Sequence, residues 1–221
     1  MELLEETNLV TLKGKINKEI EESHESFNEK FYKTELVVSR LSGECDYINI
    51  IISEKDLIGK ELTKGMYVLV EGQVRSYNHY NKETEKRRLV LNVFTKKIEQ
   101  INEEDIEDKS KTNQVELIGY ICKEPTYRKT PFGREISDIL LAVNRNYKKS
   151  DYLPVIAWGR NARFASKLEV GENVKVTGRF QSRDYVKEYE DGTKVDERAF
   201  EISALEVELV EEKEETATFK M

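Results

Sequence analysis

An all-β chain of two tandem five-stranded barrels, each with one short helix between its third and fourth strands, is predicted by three observations on this 221-residue sequence. The first is internal repetition. "NLVTLKGKI" from residue 8 resembles "NQVELIGYI" from 113, "ELVVSR" from 35 resembles "LLAVNR" from 140, and "DYINIII" from 46 resembles "DYLPVIA" from 151, all at one offset of 105. A period this long is a duplicated domain, not a solenoid repeat. The second is the brevity of the apolar runs, which alternate or run unbroken over strand-like lengths. The third is a helix signal at the same place in both halves.

In the second half the strand signals fall near 114–123, 136–145, 152–158, 173–181 and 199–209. Between the third and fourth lies "GRNARFASKLEVG", where Asn161 can cap a helix, Ala162, Ala165 and Leu168 share a face, and Gly171 can end it. The matching stretch of the first half is "SEKDLIGKELTKG", where Ser53 and Asp56 resemble a capping box and Gly65 takes the terminal role. Gly65 and Gly72 match Gly171 and Gly178 at an offset of 106, and Arg88 matches Arg198 at 110, so the length changes fall in loops. This element order is that of an OB-fold barrel, an architecture that binds oligonucleotides across one face and its flanking loops. The polar stretch "INEEDIEDKSKT", 101–112, reads as a linker and divides the chain into expected domains 1–105 and 106–221.

Within 151–158 the alternation places Tyr152, Pro154, Ile156 and Trp158 on one side and Leu153, Val155 and Ala157 on the other. The smaller aliphatic row suits a tight interior, which leaves the only Trp of the chain as an exposed platform. Alternation alone also admits a core Trp158 beside Tyr152 and Ile156, and strand-end roles for Tyr147 and Tyr185.

Composition narrows the function. With 38% hydrophobic and 36% charged residues the chain is a soluble globular protein. No run approaches the ~18 apolar residues of a membrane span, and "MELLEETNLV" lacks a basic segment followed by an apolar one, so a cytoplasmic location is expected. Cys45 and Cys122 stand alone, as do His24 and His79, and there is no Gly-rich phosphate loop. A zinc site or a His-based catalytic dyad has almost nothing to be built from and no cofactor is expected, although abundant carboxylates leave a nuclease open. The net charge of -7 argues against a polyanionic partner until its distribution is considered. Residues 113–185 hold 13 Lys and Arg against 8 Asp and Glu, whereas 1–112 hold 18 against 23. Patches, not totals, steer a polyanion.

Three segments, "NQVELIGYICKEPTYRKTPFG", "LLAVNRNYKKSDYLPVIAWGRNA" and "VGENVKVTGRFQSRDY", together resemble the bacterial single-stranded DNA-binding protein family in order and spacing. The resemblance implies a non-enzymatic protein that binds unpaired DNA in replication, recombination or repair. By position it implies stacking by Tyr147, Tyr152, Trp158 and Tyr185, with Phe132 in the first hairpin loop. Arg145, Lys148, Lys149, Arg160, Arg179 and Arg183 flank these rings and would neutralise phosphates. The first half keeps Arg40 and Tyr47 but has Ser53 at the Trp158 position and His79 at the Tyr185 position, leaving Tyr47, Arg75, Tyr77 and Tyr80 as weaker candidates beside Lys86, Arg87 and Arg88. Relatives with one barrel per chain assemble four, so a homodimer is implied here. The family's acidic tail ends in Pro-Phe and recruits replication and repair proteins; "EEKEETATFKM" is acidic without that ending. The same physics also fits a single-stranded RNA binder, or an interaction protein of the replication-restart machinery.

Overall fold

The structure, a computed structural model, describes residues 7–81, 86–145, 149–188 and 192–210. The first half comprises β1 (Asn8–Ile16), β2 (Glu21–Ser26), β3 (Glu29–Ser39), β4 (Cys45–Ser53), α1 (Glu54–Leu57), β5 (Tyr67–Asn81) and β6 (Lys86–Gln100). The second comprises β7 (Asn113–Lys129), β8 (Glu135–Asn144), β9 (Ser150–Trp158), α2 (Arg160–Ala165), β10 (Asn173–Glu188) and β11 (Lys194–Leu209). Two 3-10 turns, Glu103–Ile106 and Lys109–Lys111, occupy the stretch read as a linker.

Five strands close each barrel. In the first, β1, β5, β6, β4 and β3 pair in that order and β3 returns to β1; in the second, β7, β8, β9, β11 and β10 pair and β10 returns to β7. Each helix falls between the third and fourth of its five strands. The first half has one extra strand, β2, because residues 17–20 interrupt what β7 carries through as a single bulged strand. The interiors follow the alternation. Leu153, Val155 and Ala157 of β9 are buried, as are Ile48, Ile50 and Ile52 of β4, and Phe180 fills the second barrel.

The helices follow the sequence less closely. In α2, Ala162, Ala165 and Leu168 are buried as read, but the N-cap is Gly159, at φ 55°, and not Asn161. The left-handed turn into α2 takes the glycine, and the Asn161 amide instead donates to the Leu205 carbonyl at 2.7 Å. Nor does Gly171 end the helix, which stops at Ser166; with φ 99° it turns the chain into β10. Ser53 does cap α1, accepting from Lys55 N at 3.2 Å, while Asp56 faces the Thr95 hydroxyl and supplies no reciprocal arm of a capping box.

One antiparallel strand pair, β1 with β7, runs between the two barrels, with Val10 opposite Val115. Because these two residues are equivalent in the repeat, a pseudo-two-fold axis passes between them. The long hairpins β5–β6 and β10–β11 each reach across this axis to the other barrel, bent at bulges beside Gly72 and Gly178. A Cβ at either glycine would collide with a backbone carbonyl, of Phe94 or of Ser203, so only glycine lets the strands cross there.

Where the hairpins land, the same knot is tied twice. Asp46 is completely buried, accepts from Arg40 Nε at 3.0 Å and Nη2 at 2.6 Å, and accepts from Ser182 N at 2.7 Å. Arg40 Nη2 also donates to the Ser182 carbonyl, and Tyr47 N to the Ser182 hydroxyl, both at 2.9 Å. Across the axis, Asp151 is likewise completely buried and bound by both nitrogens of the Arg145 fork and by Ser76 N at 2.5 Å. Arg145 Nη2 and Tyr152 N complete that knot on the Ser76 carbonyl and hydroxyl.

Candidate nucleic-acid interface

Each barrel turns one sheet face into a cleft, and each cleft is walled partly by the other barrel. The cleft of the second barrel, about 1000 Å³, has Ile156 and Trp158 of β9, Gln181 and Arg183 of β10 and Glu201 of β11 in its lining, with Arg40 and Tyr47 contributed by the first barrel. Trp158 is 39% exposed, and its indole N–H donates to the Ser203 hydroxyl at 3.2 Å. One hydrogen bond to the strand alongside thus fixes the ring while leaving a face to solvent. Tyr152 is 48% exposed on the same row. Both lie outside the core, as the platform reading requires.

The other aromatics are held differently. Tyr185 is partly buried, donates its hydroxyl to Glu197 at 2.7 Å, and has the Arg183 guanidinium 5.6 Å from its ring centre. Phe132 is 92% exposed at the β7–β8 turn. Tyr47 lies under the Arg198 guanidinium, 4.5 Å from the ring centre, so one of its faces is covered. Tyr77 and Tyr80 are half exposed on β5. Tyr147 and Lys148 lie outside the described residues, as do the side chains of Lys86 and Arg87.

Among the cations, Arg183 lines the second cleft and Arg160 is exposed at the start of α2. Arg179 stands opposite Ser203, its Nε buried without a hydrogen-bond partner among the described residues. Arg145, read as a phosphate contact, is first of all a clamp on Asp151, and with Lys149 it faces the cleft of the other barrel. Arg75 joins the same carboxylate at 3.1 Å. The second cleft is electrically mixed. Arg40, Arg128 and Arg183 share its lining with Glu44, Asp184 and Glu201. Burial pushes the Glu201 carboxyl above the usual carboxylate range, an effect that Asp138 reinforces and Arg183, Arg40 and Arg128 oppose.

The cleft of the first barrel, about 1110 Å³, contains residues that alternation and resemblance did not single out: His24, Phe27 and Phe94 line it beside Arg75 and Tyr77. Phe31 lies beneath His24, the rings 4.9 Å apart and 16° from parallel, and reaches Phe94 at 5.4 Å. One signal was available. Phe27 precedes Phe132 by the repeat offset of 105. Among the described residues no three His, Cys, Asp or Glu side chains are grouped to hold a metal, and no helix is long and apolar enough to cross a membrane.

Known proteins with this pattern agree with one another. A wild-type single-stranded DNA binding protein from Thermus aquaticus, solved by crystallography, superposes with a TM-score of 0.73 at 22% identity, covering 93% of this chain and 94% of that one. Its tandem-barrel fold is therefore shared. In sequence, a single-stranded DNA-binding protein of Thermus aquaticus is 30% identical over 146 residues, and single-stranded DNA-binding protein B of Bacillus subtilis is 37% identical over 90. The match spans 60% of this chain and 55% of the Thermus protein, and 38% of this chain and 78% of the Bacillus one. The sequence profile of the single-strand binding protein family matches twice, over residues 7–101 and 112–210. Matched across both repeats, the chain belongs to the single-strand binding protein family.

Proposed function

We propose that this protein binds single-stranded DNA without strong sequence preference and shields it during replication, recombination or repair. The observation that carries the reading is Trp158, held by its edge on Ser203 with a face open to a cleft that also contains Arg40, Arg128 and Arg183. Every base has a π-face, so exposed rings bind strands of any sequence while guanidiniums neutralise the phosphates beside them. The role is one of binding, not catalysis, and the functional form is a homodimer in which closed two-fold pairing brings four barrels together. The proposed site comprises Tyr147, Tyr152, Trp158, Tyr185 and Phe132 as stacking rings and Arg145, Lys148, Lys149, Arg160, Arg179 and Arg183 as phosphate partners, with Tyr47, Arg75, Tyr77 and Tyr80 as weaker contacts and the domains divided at 105/106. Recruitment of replication or repair proteins belongs to the same reading.

Titration with single-stranded DNA, single-stranded RNA and duplex DNA at two salt concentrations tests it, with the fluorescence of the single indole as the signal. Single-stranded DNA is expected to bind most tightly, to quench the indole, and to lose affinity with salt at a slope of about 0.7 per phosphate neutralised. Preference for RNA or for duplex, or cleavage of the DNA when magnesium is added, would overturn the reading. Light scattering that reports a monomer would overturn the dimer.

A further inference from the structure

Tyr47 on β4 and Tyr152 on β9 are equivalent in the repeat, yet they are treated differently. Tyr152 is 48% exposed, whereas the Arg198 guanidinium lies 4.5 Å from the centre of the Tyr47 ring. Strand register shows what has diverged. Asp184 stands opposite Arg198 two residues beyond Ser182, as Asn78 stands opposite Leu89 two residues beyond Ser76. The structural counterpart of Arg198 is therefore Leu89, not Arg88, and that of Asp184 is Asn78. Glu35, at the repeat offset, has Leu140 as its counterpart. Three charged residues thus stand together at Tyr47 where the other half of the repeat has three uncharged ones.

The three are bonded to one another. Arg198 Nε and Nη2 donate to Asp184 at 2.5 and 3.1 Å, and Nη1 donates to Glu35 at 3.0 Å. All of the fork is engaged, so the guanidinium is held on the ring from two sides. In return, Arg198 holds the Asp184 carboxyl below the usual carboxylate range.

This arrangement can open without stranding a buried charge. Glu35 is buried, but it also accepts from Asn17 Nδ2 at 2.7 Å and Lys18 Nζ at 3.0 Å and keeps both when Arg198 leaves. The Asp184 side chain has 63% of its surface in solvent, so water replaces its partner at little cost. The knots differ in this respect, since Asp46 and Asp151 are completely buried and depend on their arginines. The main chain of Arg198 is held separately, by Arg88 Nη2 on its carbonyl at 2.6 Å and by pairing with β10. Its side chain can swing while the strand stays.

We infer that Arg198 is a latch over Tyr47, closed by Asp184 and Glu35 in the free protein and opened by a strand entering the second cleft, which both Tyr47 and Asp184 line. A phosphate offers the guanidinium the same forked acceptor as a carboxylate, so it can take Arg198 from Asp184 and leave the ring to a base. Arg198 is a positioning residue that acts through Tyr47, and part of the binding energy at this place goes into opening it. Tyr152 needs no such step. The inference rests on the proposed single-stranded DNA binding and adds an opening step to it.

The test is a set of double-mutant cycles on the full chain, titrated with one single-stranded DNA oligonucleotide. Asp184→Asn loosens the latch and should tighten binding about threefold, the scale of releasing a solvent-exposed ion pair. Glu188→Gln, which neutralises an equally exposed and equally paired carboxylate on the same hairpin, should tighten it less. The gain from Asp184→Asn should vanish when Tyr47→Ala is added. Equivalently, the penalty of Tyr47→Ala should grow from about threefold in the wild type to about tenfold in Asp184→Asn, the worth of one stacked base. Arg198→Leu, which matches the residue of the other hairpin, should show the same enlarged penalty. A penalty that is equal in all three backgrounds, or a gain in Asp184→Asn that Glu188→Gln matches, overturns the latch while single-stranded DNA binding stands. If the wild type binds no single-stranded DNA, the proposed function falls and the latch with it.

Discussion

At the scale of single residues, the face assignment on β9 was legible because strand alternation has only two outcomes and one row was uniformly small and aliphatic. Trp158→Ala and Tyr152→Ala should each weaken single-stranded DNA binding by about 1–3 kcal/mol, the usual worth of one stacking platform. The unfolding temperature should change little, because both rings already stand partly in solvent. A loss of stability without loss of affinity would mean that Trp158 serves packing. Charged residues were harder to read. Arg145 looks in sequence like its neighbour Lys149, yet its fork is engaged by Asp151 of its own barrel, and it donates as well to the Ser76 carbonyl where the β5–β6 hairpin of the other barrel lands. Glu201 makes a prediction of its own. Its burial favours the neutral form, so its contribution to stability is present at low pH and lost as pH rises through its raised value. The carboxylate also repels phosphate, so single-stranded DNA affinity should rise as pH falls through that raised value and the group is neutralised. Glu201→Gln should bind more tightly at neutral pH and show a flatter pH profile in the same titration.

At the scale of elements, the repeat offset of 105 revealed the barrels because the alternating strands preserve their pattern even where the surface has diverged. What the pattern missed has local causes. β2 is polar and exposed along nearly its whole length, so it carries no periodic signal. The start of α2 was misplaced because a glycine in a left-handed turn, and no side-chain cap, begins it. The bulges at Gly72 and Gly178 matter more for the site than either, since they bend β5 and β10 toward the opposite barrel. Gly178→Ala should cost about 1–3 kcal/mol of stability, the range for forcing an extra group into a packed interior, because the new Cβ would meet the backbone of Ser203 and Ala204. Urea unfolding measures it. An unchanged midpoint would mean that the strands can separate there at no cost.

At the scale of the whole molecule, nothing in the sequence showed that the two clefts are shared. Asp46, Asp151, Ser76 and Ser182 are ordinary polar residues in a linear reading, and only the antiparallel pairing of β1 with β7 brings each aspartate under the other barrel's hairpin. Two carboxylates that are completely buried, each clamped by an arginine of its own barrel and an amide from the other, couple the barrels mechanically. A buried charge deprived of its partner is expensive, which is why such a knot fails when cut from one side. Separating the barrels would leave Asp46 without Ser182, and Asp151 without Ser76 and Arg75. The full chain should therefore unfold in one calorimetric transition, and Arg40→Ala, which strands Asp46, should destabilise it by about 3–5 kcal/mol. The reciprocal change, Asp46→Ala, strands the partly exposed Arg40 instead, whose side chain keeps 20% of its surface in solvent, and should cost less. Two well-resolved transitions in the wild type would show that the barrels fold independently and that the knots join them only loosely. A clean split into two transitions only when both Asp46 and Asp151 are replaced would place the coupling in the knots and not in the β1–β7 pair.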